Sequence, residues 1–133
     1  VQIGTSDSNS EIGVDTSLDF FLGSNGMSKI SGLVGGRYSS ISMTVASLAA
    51  VYKIPQISFA STSPKLSNKD MYPYFSRTIP PDSIQGAGMW QFIVHFQVPA
   101  VTFLYSMESY GEGLYSTVAS LAVSAKRSYQ VTG

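Results

Sequence analysis

The chain contains no cysteine, which excludes disulfides, thiolate catalysis and cysteine-held zinc together. Histidine is nearly absent: His95 is the only one, it falls in a helical stretch, and no Gly-x-Ser-x-Gly elbow accompanies it. A nucleophilic serine therefore has no evident base. Charge is scarce as well, at 12% of 133 residues, and eight basic side chains cancel eight acidic ones. Neither nucleic acid nor an acidic membrane surface is implied as a partner. No run reaches the roughly 18 apolar residues that span a bilayer, and the N-terminus lacks the basic start and apolar centre of a signal peptide. The first residue is Val1 rather than Met, and the chain is expected to be a segment of a longer protein. The glycines of Gly32-Leu-Val-Gly-Gly-Arg37 lack a phosphate loop's Gly-Lys-Ser/Thr ending and dinucleotide-fingerprint spacing. Acids are scattered, with Glu108 and Glu112 the closest pair, and no metal-ligand spacing emerges. No cofactor is expected.

What is present is apolar. At 44% hydrophobic residues, the length suits one domain with a modest core. Val14, Leu18, Phe21 and Leu22 fit a helix that stops at Gly23-Ser-Asn-Gly26. Residues 30–34 read as a buried strand. Ile41, Val45, Leu48, Ala49 and Tyr52 then fall at helical intervals behind Ser39 or Ser40 as N-cap. Pro55 ends that helix, residues 56–60 form the next strand, and a polar loop leads to a third at 74–78. Pro80-Pro81 cannot continue a central strand and marks a crossing between two structural halves. Asp82 or Ser83 caps a helix with Met89, Ile93 and Phe96 on one face and Trp90 beside them. A strand at 101–105 and a helix carrying Leu114, Val118, Leu121 and Ala122 complete an α/β pattern with parallel sheets.

In open parallel sheets ligands bind at the carboxyl ends of the strands. Here those ends carry Tyr38-Ser39-Ser40, Ser61-Thr62-Ser63, Asp82-Ser83 and, farther on, Tyr110. A helix start behind Ser39 and Ser40 favours an anion such as a carboxylate. Thr62 adds a hydroxyl, Asp82 offers a negative charge to an ammonium group, and Tyr110 a ring face. Together they suit the zwitterionic head of an α-amino acid. Singly, each has a plainer reading: Ser39, Ser40 and Asp82 as helix caps, and Tyr110 as loop packing. Arg77 and Lys126-Arg127 read as hinge or solvated-face charges, and His95 as a surface or partly buried structural residue. A serine hydrolase and a soluble, transporter-feeding binding protein stand as the alternatives.

Residues 32–110 resemble the extracellular ligand-binding (Venus flytrap) domain of class C G-protein-coupled receptors, most closely the metabotropic glutamate receptors. The carrying motifs are Gly32-Leu-Val-Gly with Ser39-Ser40-Ile-Ser, Lys53-Ile-Pro-Gln-Ile-Ser-Phe-Ala-Ser-Thr-Ser-Pro-Lys-Leu-Ser67, Tyr74-Phe-Ser-Arg-Thr-Ile-Pro-Pro-Asp82, and Ser109-Tyr-Gly-Glu112. The resemblance implies a periplasmic-binding-protein-like type I fold. Residues 1–79 would be part of lobe 1 and residues 80–133 the beginning of lobe 2. It places the ligand's α-carboxylate on Ser39 and Ser40, and its amino and carboxylate groups on Ala60, Ser61 and Thr62. Asp82 and Tyr110 would meet the ammonium from the second lobe. Arg37 and Tyr38 occupy a loop that is usually small and Gly/Ser-rich in that family. A small-molecule ligand, dimerisation through lobe 1, coupling to a G protein through segments outside this chain, and a place on the extracellular side of the plasma membrane follow as expectations, with no nucleic-acid partner.

Overall fold

The first helix begins a turn earlier than its apolar spacing predicts. A computed structural model of the chain describes residues 2–125 and places α1 at Ser10–Leu22. The reason is local: the Asn9 side chain accepts the Glu11 N–H at 2.7 Å, satisfying one of the free donors of the first turn. Gly23 ends the helix in the left-handed region, φ 73°, where the absence of a Cβ removes the steric penalty. The predicted stop therefore stands where the glycine is.

The other elements are β1 (Leu33–Val34), α2 (Ser39–Tyr52), β2 (Gln56–Ser58), a 3-10 turn at Pro64–Ser67, β3 (Phe75–Arg77), α3 (Asp82–His95) and α4 (Ser109–Ser124). The three strands form one parallel sheet in the order β1-β2-β3. Leu33, Gln56 and Phe75 stand in one row, and Val34, Ile57 and Ser76 in the next. Successive strand residues face opposite ways, and of these two rows the first is the covered one. Val34 stays 77% exposed and Ile57 43%. The α/β class with parallel strands therefore holds, although each strand is shorter than its apolar run. Residues 101–105, expected as a strand, pair with no other strand among the described residues. A strand needs a ladder partner for its backbone groups, and no described segment pairs with this one.

Phe20 and Phe21 of α1 pack with Ile41, Val45 and Ala49 of α2 and with Ile54. The opposite side of α2 presents Ala46 to Leu66, Tyr72 and Phe75. A separate cluster joins Trp90 and Ile93 of α3 to Val118 and Ala122 of α4. On α3 the buried stripe is Gly86, Trp90 and Ile93 rather than the predicted Met89, Ile93 and Phe96. Gly86 decides this, because a Cβ there would lie 2.8 Å from Thr117 Cγ2, so the bare backbone is what lets α4 approach. Phe96 points outward, 61% exposed, with exposed His95 edge-on to it at 4.9 Å. Lys126 and Arg127 lie outside the described residues. No helix among the described residues is long and apolar enough to cross a membrane.

Candidate ligand site

Because β1, β2 and β3 run parallel, the chain leaves all three at the same edge of the sheet. That brings together the turn before α2, the turn after β2 and the segment before α3. The first turn of α4 closes the fourth side. Between them lies a cavity of about 480 Å³ lined by Arg37, Tyr38 and Ser39, by Ala60 and Thr62, by Gln85, and by Ser106, Glu108 and Tyr110. Four of the seven residues expected from the sequence thus face one space. A smaller cleft of about 130 Å³, lined by Phe20, Leu33, Ile41 and Val45 among others, contains none of them.

Neither helix start is capped as expected. Tyr38 occupies the N-cap of α2 and Pro81 that of α3, and no side chain makes a cap bond at either. Ser39 and Asp82 are instead the first helical residues. Ser39 is buried, and its Oγ accepts the Ser63 N–H at 3.1 Å, which leaves its own proton to donate. Ser40 is half-buried in the same turn, off the cavity wall, with its carbonyl accepting the Thr44 hydroxyl at 3.0 Å.

Ser61 faces inward. Its hydroxyl lies 2.7 Å from Ser42 Oγ and donates toward Gly36 O at 3.1 Å and Arg37 O at 3.3 Å. Gly36 O also receives the hydroxyls of Ser58 at 2.7 Å and Ser42 at 3.2 Å. Three serines on one carbonyl bind the turn before α2 to the turn after β2. Ala60 and Thr62, flanking Ser61, are thereby left on the cavity side.

Asp82 stands behind Thr62 rather than on the cavity wall. Its N–H donates to Thr62 O at 2.9 Å, and its carboxylate is wholly shielded from solvent. Both carboxylate oxygens and Thr62 Oγ1 lack a hydrogen-bond partner. Burial pushes the Asp82 carboxyl above the ordinary carboxylate range. The adjacent Thr62 hydroxyl and the charge of Arg77 pull the other way. Thr62 acts by proximity, its oxygen falling short of hydrogen-bond geometry.

Sequence reasoning gave Arg77 no part in the site. From β3 its Nη1 donates to Ser61 O at 3.2 Å and Ser63 O at 2.9 Å, and its Nη2 to Ser67 Oγ. Burial lowers the guanidinium from its usual range, and Asp82 opposes that shift. Arg77 stands beside Ser58 in the β2–β3 register, a neighbourhood that linear spacing does not reveal. Ser42 of α2 and Ser58 of β2 meet at Gly36 O through tertiary contacts that linear spacing does not reveal either. Glu112, by contrast, is drawn away to Lys65, 3.8 Å off in an exposed pair.

The cavity thus brings the hydroxyl residues Ser39 and Thr62 and an uncapped helix start together at the carboxyl edge of a parallel sheet. The model of the receptor family ligand binding region matches residues 1–132, and the chain belongs to that family. It is 45% identical over 84 residues to metabotropic glutamate receptor 8 of Homo sapiens, covering 63% of this chain and 9% of that receptor. It is 36% identical over 110 residues to the probable metabotropic glutamate receptor mgl-1 of Caenorhabditis elegans, covering 83% of this chain and 11% of the relative. The chain thus resembles the metabotropic glutamate receptors and spans about a tenth of the length of these curated relatives.

Proposed function

We propose that the chain is part of an extracellular receptor domain that recognises the α-amino and α-carboxylate groups of a free, glutamate-like amino acid and signals by closing two lobes on it. The observation that carries this reading is the convergence of Ser39, Ala60, Thr62 and Tyr110 on one cavity, with the unpartnered carboxylate of Asp82 tied to Thr62 through the main chain. In this reading the Ser39 hydroxyl, the first turn of α2 at Ser40 and the Thr62 hydroxyl hold the α-carboxylate, where helix dipole and donors favour an anion. The Ala60 carbonyl and the Tyr110 ring receive the ammonium, the Asp82 carboxylate favours its charge from behind Thr62, and Ser61 braces the turn between them.

Residues 1–79 are assigned to lobe 1 and residues 80–133 to the beginning of lobe 2. The separation of the Trp90–Val118 cluster from the two clusters around α2 supports that division. A ligand gripped from both sides stabilises only the closed arrangement, which is how binding becomes a conformational signal. The relatives are receptors, which favours binding over catalysis and a receptor over a transporter-feeding protein. Placement on the outer face of the plasma membrane, pairing through lobe 1 and coupling to a G protein through other segments belong to the same proposal.

Calorimetry with a panel of amino acids tests it. The reading requires saturable binding of L-glutamate or another L-α-amino acid, and none of its N-acetyl or α-ester derivatives. Equal binding of the blocked derivatives would sink it.

A further inference from the structure

Arg77 lines no part of the cavity, yet two of its walls are tied to it. The turn after β2 sets Thr62 between Ser61 and Ser63, and the carbonyls of both neighbours accept from Arg77 Nη1. Ser63 in turn gives its N–H, on the Thr62–Ser63 peptide, to Ser39 Oγ. The Ser61 hydroxyl reaches the carbonyls of Gly36 and Arg37 in the turn before α2. Arg77 Nη2, on Ser67, anchors the same guanidinium to the 3-10 turn. One rigid, planar fork therefore holds the peptides Ser61–Thr62 and Ser63–Pro64, on either side of the Thr62–Ser63 peptide, and through the Ser63 N–H orients the Ser39 hydroxyl.

From this arrangement we infer that Arg77 is the positioning residue of the site, holding the Ser39 hydroxyl and the Thr62 turn in the geometry that receives the ligand without touching it. The inference rests on the amino-acid reading above. A lysine cannot replace the fork, since an ammonium on a flexible stem does not hold Ser61 O, Ser63 O and Ser67 Oγ in one plane. Arg77 has a second effect through its charge. Among the described residues, the Asp82 carboxylate is influenced by Thr62 in the turn after β2 and Arg77 of β3, and Gly113 of α4 lies beside its Oδ2. Among the described residues Arg77 supplies the charge that acts on it, while Lys65 and Glu112 form an exposed pair of their own.

The experiment compares the full chain with Arg77→Gln and Arg77→Lys in three readouts: L-glutamate affinity, the carbon-13 titration of the Asp82 carboxyl without ligand, and amide exchange at Ser63. Arg77→Gln is expected to weaken L-glutamate binding by about tenfold or more, the equivalent of one hydrogen bond to a charged group. It should also move the Asp82 titration to higher pH and speed Ser63 exchange. Arg77→Lys is expected to restore the titration but not the affinity, separating charge from geometry and covering the case in which the glutamine variant fails to fold. Affinity within twofold of the unmodified chain in Arg77→Gln, or full recovery of affinity in Arg77→Lys, would overturn the inference. If the unmodified chain binds no amino acid, the amino-acid reading fails. The ligand-free titration and Ser63 exchange then decide Arg77 alone: unchanged values in Arg77→Gln overturn its role, and shifted values uphold it.

Discussion

Asp82 donates its backbone N–H to Thr62 O at 2.9 Å, while the side chains of both residues remain without hydrogen-bond partners. A buried carboxylate or hydroxyl left unpaired costs free energy, so such groups usually find a partner. Here the main chain holds the two residues together and leaves the buried polar atoms of both side chains unpaired. Asp82→Asn keeps the shape and removes the charge. It is expected to weaken binding of an amino acid roughly a hundredfold, the loss typical of truncating one partner of a buried charge pair. Thermal unfolding of the ligand-free protein at neutral pH should move to higher temperature in the same variant, since an unpaired buried charge has gone.

The pH dependence follows from the raised carboxyl of Asp82. For an acid whose folded value lies above its unfolded one, the folded state disfavours ionisation. Its contribution to stability is present below the unfolded value of about 4 and is lost as pH rises through the folded value. The difference in stability between the unmodified chain and Asp82→Asn should therefore widen with rising pH in that acid window. Affinity for an ammonium-bearing ligand should run the opposite way and climb over the same window. Denaturation and calorimetric titrations at stepped pH check both slopes.

Two glycines on α3 give opposite expectations. A Cβ at Gly86 would meet Thr117 Cγ2 at 2.8 Å, whereas one at Gly88 meets nothing within 4 Å. Gly86→Ala should destabilise by ~1–3 kcal/mol through overpacking against α4. Gly88→Ala should stabilise by ~1 kcal/mol through helix propensity. Chemical denaturation of the two variants distinguishes them by sign.

Gly36 is constrained by the serines around its carbonyl. An added Cβ would lie 2.7 Å from Ser42 Oγ, inside the network that joins the two turns of the site. Gly36→Ala is expected to cost ~1–3 kcal/mol and to weaken ligand binding. Ser61→Ala, which removes one hydroxyl and leaves the others, should cost ~1 kcal/mol. Urea midpoints measure both.

The parallel α/β pattern was legible in the sequence because it rests on local signals: apolar runs bounded by Gly35, Pro55 and Pro80, and helical spacing from Ile41 to Tyr52. Four cavity residues were legible too, since strand ends of a parallel sheet share an edge. The segment at 101–105 misled because an apolar run states what a strand contains and not whether a partner lies beside it. The face of α3 misled because glycine carries no hydrophobic signal, yet Gly86 is what turns Trp90 and Ile93 toward α4. Arg77 was invisible as a site residue because its partners at Ser61, Ser63 and Ser67 are set by strand register and loop path.

The most direct test of the central claim is a calorimetric titration of L-glutamate, alongside the other L-α-amino acids, into the unmodified chain and into Thr62→Ala combined with Asp82→Ala. Saturable binding by the unmodified chain that disappears in the double variant, with the fold preserved by circular dichroism, is the predicted result. Undiminished binding by the double variant, or no binding of any amino acid to the unmodified chain, would contradict the account.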